Sequence, residues 1–352
     1  MNMIPVTILT GFLGSGKTTL LKRILNEPHG MKIAVIENEF GEENIDNDIL
    51  VQESAEQIVQ MSNGCICCTI RGDLSRALSD LSEQKRGGKL KFDRVVIETT
   101  GLANPGPVAQ TFFIDESIAD EFLLDAVITL VDAKHANQQL DEHEVVQRQV
   151  GFADRLFITK ADLVDEATLT DLRHRLLQMN PKAPIQMVNF GNADIKEIFD
   201  LRGFNLNAKL EIDPDFLAED GHDHAHHHEH GHDHAHCDHD HGHCTHGHHH
   251  AHHDDKIKSF VYRSERAFDP QKLEDFLGGI LQIYGERLLR YKGVLFMKGI
   301  DRKVVFQGVH QMMGSDLAAR WLPAEKKTSK MVFIGVDLPR DLITDGLDAC
   351  LA

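Results

Sequence analysis

The sequence has no apolar run near the roughly 18 residues that a membrane helix needs, so an integral membrane protein is not expected. It is short of positive charge. Lys and Arg number 37 against 55 Asp and Glu, a net −18 with histidine neutral. Nucleic acid is therefore not an expected partner, because phosphate contacts need clustered cations, whereas divalent metals are compatible. Cysteine is scarce and unevenly placed: of six, three are Cys65, Cys67 and Cys68, and two more, Cys237 and Cys244, lie in a histidine tract. That is not the spread of a secreted disulfide framework, and it reads as metal or redox chemistry. No basic leader precedes the apolar stretch Ile4 to Leu13, so a cytoplasmic chain is expected.

What is present is an α/β pattern. Apolar runs at Val6–Leu9, Lys32–Ile36, Arg94–Ile97, Ala126–Val131, Arg155–Ile158 and Pro184–Val188 alternate with amphipathic stretches. Most are continuously apolar, as in a mostly parallel sheet covered on both faces. From His222 to His253 the chain is low-complexity and holds 18 of its 23 histidines. With almost nothing apolar to bury, that tract is expected to be a mobile linker. Beyond it, strands at Ile257–Tyr262, Tyr291–Phe296, Val304–Val309 and Met331–Val336 are expected, with helices at Pro270–Ile283 and Arg340–Leu351. They suggest a small α+β domain with one antiparallel sheet. The expected division is 1–210, 211–256 and 257–352.

Gly11-Phe12-Leu13-Gly14-Ser15-Gly16-Lys17-Thr18 fits GxxxxGK followed by Ser or Thr, entered by a strand and left by a helix beginning at Thr19. This is a P-loop. Its glycines let main-chain N–H groups curl round phosphates, Lys17 neutralises the β and γ oxygens, and the Thr18 hydroxyl ligates Mg²⁺. Arg94 to Gly101 is a strand ending in an acid, Glu98, with Gly101 three residues on. Glu98 would hold Mg²⁺ through water and the Gly101 N–H would reach the γ-phosphate. Lys17 and Glu98 are the catalytic candidates. Thr159-Lys160-Ala161-Asp162 matches the guanine-reading pattern Asn/Thr-Lys-x-Asp. A carboxylate at Asp162 accepts from both the ring N–H and the amine of guanine, and would repel adenine. The nucleotide expected is GTP. The residue orienting the attacking water is sought among the acids of Glu37 to Glu42.

Three thiols in four residues suit Zn²⁺ or Cu(I), and Glu37 or Glu42 could complete their site. The tract offers His222, His224, His226, His227, His228, His230, His232, His234 and His236, then Cys237, His239, His241, His243 and Cys244. It continues with His246, His248, His249, His250, His252 and His253. These imidazoles suit Zn²⁺, Ni²⁺ or Co²⁺. A metal store with an ancillary GTPase module is the second reading, and a small-molecule kinase the third.

GFLGSGKTT, ENEFGE, NGCICC, ETTGLANP, VDAKH and TKAD occur in the order seen in the CobW-type metallochaperone GTPases, which the chain resembles outside the histidine tract. The resemblance implies a P-loop GTPase domain and a CobW-type C-terminal domain. It implies GTP hydrolysis tied to delivering a transition metal, most often zinc, to client metalloproteins. It puts metal near Cys65, Cys67, Cys68, Glu37 and Glu42, and implies a nucleotide-dependent homodimer.

Overall fold

The computed structural model describes residues 3–28, 30–37, 58–60, 70–194, 198–204, 255–323 and 325–352. Its first sheet has seven strands, all paired in parallel. They are β1 (Ile4–Gly11), β2 (Ile33–Glu37), β3 (Ile58–Gln60), β4 (Arg94–Glu98), β5 (Phe122–Asp132), β6 (Arg155–Thr159) and β7 (Ile185–Met187). The spatial order is β3-β2-β4-β1-β5-β6-β7. From β1 the chain crosses to β2 and out to β3 on one side, returns to β4 beside β1, and then runs outward on the other side through β5, β6 and β7. Open α/β sheets bind ligands at such a switch point, outside the carboxyl ends of the strands.

Alternate residues of β1 feed different cores. Val6 and Ile8 join a cluster with the helices α2 (Ile70–Arg86), α3 (Pro105–Ile114), α6 (Glu144–Phe152) and α7 (Glu166–Met179). Leu9 joins a second cluster on the opposite face with α1 (Lys17–Asn26), through Leu20, Leu21, Ile24 and Leu25. That spacing is one stripe of a helix, and Pro28 lies just beyond its end. Short helices α4 (Glu116–Ala119) and α5 (Ala136–Glu142) and a 3-10 turn at Ala161–Leu163 also lie in this part.

Strand β5 begins four residues before the expected Ala126, because Asp125 interrupts the apolar pattern. Asp125 is buried and paired with Arg94 at 2.8 Å, and it also accepts the N–H groups of Asp200 and Arg202. A charge so satisfied is compatible with a central strand.

The second sheet is antiparallel, in the order β11-β10-β9-β12-β8. Its strands are β8 (Ile257–Ser264), β9 (Leu288–Leu295), β10 (Arg302–Val309), β11 (Met312–Arg320) and β12 (Ser329–Val336). Helices α8 (Pro270–Tyr284) and α9 (Arg340–Ala349) cover one face with Leu273, Leu277, Ile343 and Leu347. The expected helix to Leu351 ends at Ala349, and Leu351 instead bridges Phe268. β11 was not expected. It is an edge strand in which only Ala318 is buried, so no apolar pattern announces it. Ile257, Leu289, Val309, Val332 and Ile334 of this sheet share a core with Val150 and Phe152 of α6, which joins the two parts.

Candidate nucleotide site

β1 ends at Gly11, whose φ is +141° and where an added Cβ would meet the Leu130 carbonyl at 2.4 Å. The chain then turns through Gly14 and Gly16, both at positive φ, into α1. Gly16 occupies the N-cap position with no side-chain cap, so the first N–H groups of α1 are left for another acceptor. The Ser15 Oγ is buried without a hydrogen-bond partner among the described residues. The Lys17 ammonium donates to the carbonyls of Gly11 (2.9 Å) and Phe12 (3.1 Å). Burial lowers its pKa, opposed by the charge of Glu98. A buried cation, an uncapped helix start and an orphaned hydroxyl converge on one loop, and that donor set fits a polyphosphate.

The Thr18 hydroxyl donates to Glu98 Oε1 at 3.0 Å. These two oxygens, 80 residues apart in sequence, are both hard ligands, and their chemistry fits Mg²⁺. Glu37, at the end of β2, stands opposite Glu98 in register. A candidate transition-metal acid thus neighbours the candidate Mg²⁺ acid on adjacent strands. Glu42, Cys65, Cys67, Cys68 and the tract His222 to His253 lie outside the described residues. Among the described residues no group of three or more His, Cys, Asp or Glu could hold a metal.

The loop after β4 leans directly on the P-loop. A Cβ on Gly101 would fall 2.6 Å from the Leu13 nitrogen, so only glycine fits. Gln149 of α6, wholly buried, donates to the carbonyls of Gly101 (3.0 Å) and Ala103 (3.1 Å). Sequence reading missed Gln149, since one amide on an amphipathic helix carries no signal.

The Thr159-Lys160-Ala161-Asp162 motif lies where β6 ends beside β5. The Thr159 hydroxyl donates to the Ser15 carbonyl at 2.9 Å, tying this motif to the P-loop. Lys160 adopts φ +55° and its ammonium reaches Asp132 at 2.7 Å. Asp132, in the VDAKH segment, also pairs with His135 Nδ1 at 2.9 Å and accepts the Lys134 N–H. Burial pushes the Asp132 carboxyl up, but Lys160, His135 and the Lys134 N–H together hold it below the ordinary carboxylate range. Asp132 is a second residue not assigned from sequence. Its signal was an acid ending the strand next to the base-reading one. Asp162 is exposed and open to a ligand edge.

Residues 5–187 match the family described as CobW/HypB/UreG, nucleotide-binding domain, and residues 257–351 match the cobalamin synthesis protein CobW C-terminal domain. The chain is 41% identical over 346 residues to the zinc chaperone YjiA of Escherichia coli, covering 97% of each. It is 32% identical over 379 residues to the zinc chaperone CobW of Pseudomonas aeruginosa, covering 99% of this chain and 92% of that one. Among solved structures it is similar to the Zn(II)-bound YjiA GTPase from E. coli, with a TM-score of 0.74, 34% identity and full coverage of both chains.

Proposed function

From the premise that this chain belongs to the CobW family and is a GTPase, we propose that it is a zinc chaperone whose GTP and metal sites act on one another. The single observation that carries the reading is the hydrogen-bonded convergence of Thr18 with Glu98 and of Thr159 with Ser15, which draws three distant motifs together at the carboxyl ends of the parallel strands. In this reading Gly11 to Thr19 hold the phosphates, with main-chain N–H groups of Phe12, Leu13, Gly14, Ser15 and Gly16 and the Lys17 ammonium as donors. Asp162 reads guanine, while Asp132 and Thr159 orient the motif that carries it. Mg²⁺, when bound by Thr18 and Glu98, supplies charge neutralisation for the transferring phosphate. Gly101 gives its N–H to the γ-phosphate, and the loss of that contact on hydrolysis frees the loop that Gln149 holds.

Zinc is assigned to Cys65, Cys67 and Cys68, completed by Glu37 or Glu42, with nickel and cobalt as lesser candidates. The register of Glu37 against Glu98 supports coupling, since the two acids belong to neighbouring strand ends. The recipients are client metalloproteins, and a homodimer formed with nucleotide bound completes the proposal. The test measures zinc affinity with a non-hydrolysable GTP analogue and with GDP, in the parent and in Lys17→Ala. A difference between nucleotides that disappears in Lys17→Ala is expected. Equal affinities in the parent, with turnover indifferent to zinc, would remove the coupling.

The 18 clustered histidines favour a second reading, a metal store in which residues 211–256 are the working part. Deleting 221–253 separates the two. A chaperone keeps its turnover and one tight zinc site, whereas a store loses its zinc resistance in cells.

A further inference from the structure

Phe190 is 83% exposed, the most exposed of the large apolar side chains among the described residues, and its φ is +52°. Both properties are unfavourable for phenylalanine: the ring gains nothing from burial, and the left-handed region is strained for a bulky residue. The loop that carries it is nevertheless tied down on three sides. The Val188 N–H donates to the Ile158 carbonyl (2.8 Å), and the Asn192 N–H donates to Asn189 (3.0 Å). The Arg23 guanidinium of α1 donates to the Asn192 side chain at 2.9 Å. Gly191 lies so close to α1 that a Cβ would come within 3.1 Å of the Thr19 carbonyl and of Leu20 Cα. A held loop that displays an aromatic ring to solvent has been shaped to meet something.

Its surroundings say what. Ile158 and Met187 are register partners, so the ends of β6 and β7 lie side by side. The loop after β6 carries Lys160 and Asp162, and the loop after β7 carries Phe190. The other wall is the first turn of α1, which begins at Lys17. The loop that carries Phe190 therefore lies next to the loop of the base-reading motif and, through Gly191 and Asn192, against the helix that starts from the phosphate loop.

We propose that Phe190 is a nucleotide-binding residue, stacking on the purine of the bound guanine nucleotide across from the Lys160 stem. The inference rests on the GTPase reading of the site. Asp162 reads the edge of the base, and Phe190 supplies a flat apolar face that favours any purine. The two residues thus make separable contributions, one to specificity and one to affinity. The strained, exposed conformation is offset only when the ring is covered by the base.

The test is titration of GDP and a non-hydrolysable GTP analogue into the full chain and into Phe190→Ala, Phe190→Leu and Phe190→Trp. Base–aromatic stacking predicts a loss of roughly 5- to 150-fold in Phe190→Ala for both nucleotides. Inosine nucleotides should weaken by the same factor, because stacking does not read the exocyclic amine. Phe190→Leu should not restore affinity. Phe190→Trp should restore it, with saturable quenching of the new indole; the one native tryptophan, Trp321, is buried. In steady state KM should rise and kcat should hold. A parent that binds guanine nucleotide while Phe190→Ala binds equally well would overturn this inference alone. A parent that binds none would overturn the GTPase reading and the inference with it.

Discussion

The Thr159 hydroxyl spans 144 residues of sequence to reach the Ser15 carbonyl, and so ties the base-reading motif to the phosphate loop. A longer amide is commoner at this position, yet threonine suffices because β5 and β6 bring Thr159 into register with Asp132, close behind the loop. Thr159→Val keeps the shape and removes the donor. It strands a buried carbonyl, which costs on the order of 1–3 kcal/mol. Urea unfolding should show that loss, and GTP affinity should fall with it as the loop loosens. Unchanged stability and unchanged affinity in Thr159→Val would show that the two motifs are held together by packing alone. Asp132 works by a different route. It is an anchor for Lys160 and His135, and its depressed pKa keeps it ionised throughout the range where nucleotide would bind.

Between elements, the contacts that matter are those the sequence does not announce. The P-loop and the base-reading motif are legible because each needs particular residue types at fixed local spacing. Apolar strands such as Arg94–Glu98 are legible because both faces are covered. Gln149 and His310 are not, since their roles depend on what the fold brings to them. α3 starts at Pro105, capped by Asn104, and its second residue, Gly106, has no room for a side chain: a Cβ would lie 2.5 Å from His310 Nε2 and 2.8 Å from the Phe152 ring. His310, in the turn between β10 and β11, thus packs the C-terminal sheet against the helix that follows the Gly101 loop. Burial lowers its pKa, with a smaller contribution from Arg148, opposed by Gly285 and Glu286. The unfolded chain therefore takes up this proton first. Stability on this account is complete above about pH 6.5 and declines as pH falls from there through the lowered native value. His310→Asn, which tolerates positive φ, should flatten that decline. The check is urea unfolding of both proteins at pH 7.5 and 5.5; an identical drop in the two would assign the acid sensitivity to other groups.

For the whole molecule, the question is whether the two sheets behave as one body. Two buried cations answer it. Arg175 of α7 grips Asp255, the residue two before β8, and also reaches Asp141 and the Asn137 carbonyl. Arg290 of β9 crosses in the opposite direction, donating to the carbonyls of Phe152 (2.9 Å) and Gly203 (2.8 Å) and pairing with buried Asp154, its guanidinium 4.0 Å over the Phe204 ring. Gly203 packs so closely that a Cβ there would overlap the Asp154 carboxyl. A buried pair of this kind is weak evidence for net stability, because desolvation of both ions offsets much of their attraction. Breaking it from one side is a different matter: Arg290→Met takes the guanidinium away from the buried Asp154 carboxylate and should cost about 3–5 kcal/mol. Pairing that change with Asp154→Leu removes the carboxylate as well, so the double variant should regain part of what the single one loses, less the hydrogen bond that Asp154 accepts from the Val127 N–H. Calorimetry distinguishes where the loss falls. If the interface makes the chain one cooperative unit, the parent unfolds in a single transition and Arg290→Met in two, the antiparallel sheet separating from the nucleotide-binding part. A parent that already shows two transitions would mean that the shared core around Phe152 and Leu289 does not couple the sheets, and that any signal passing from the Gly101 loop to the C-terminal domain must travel by another path.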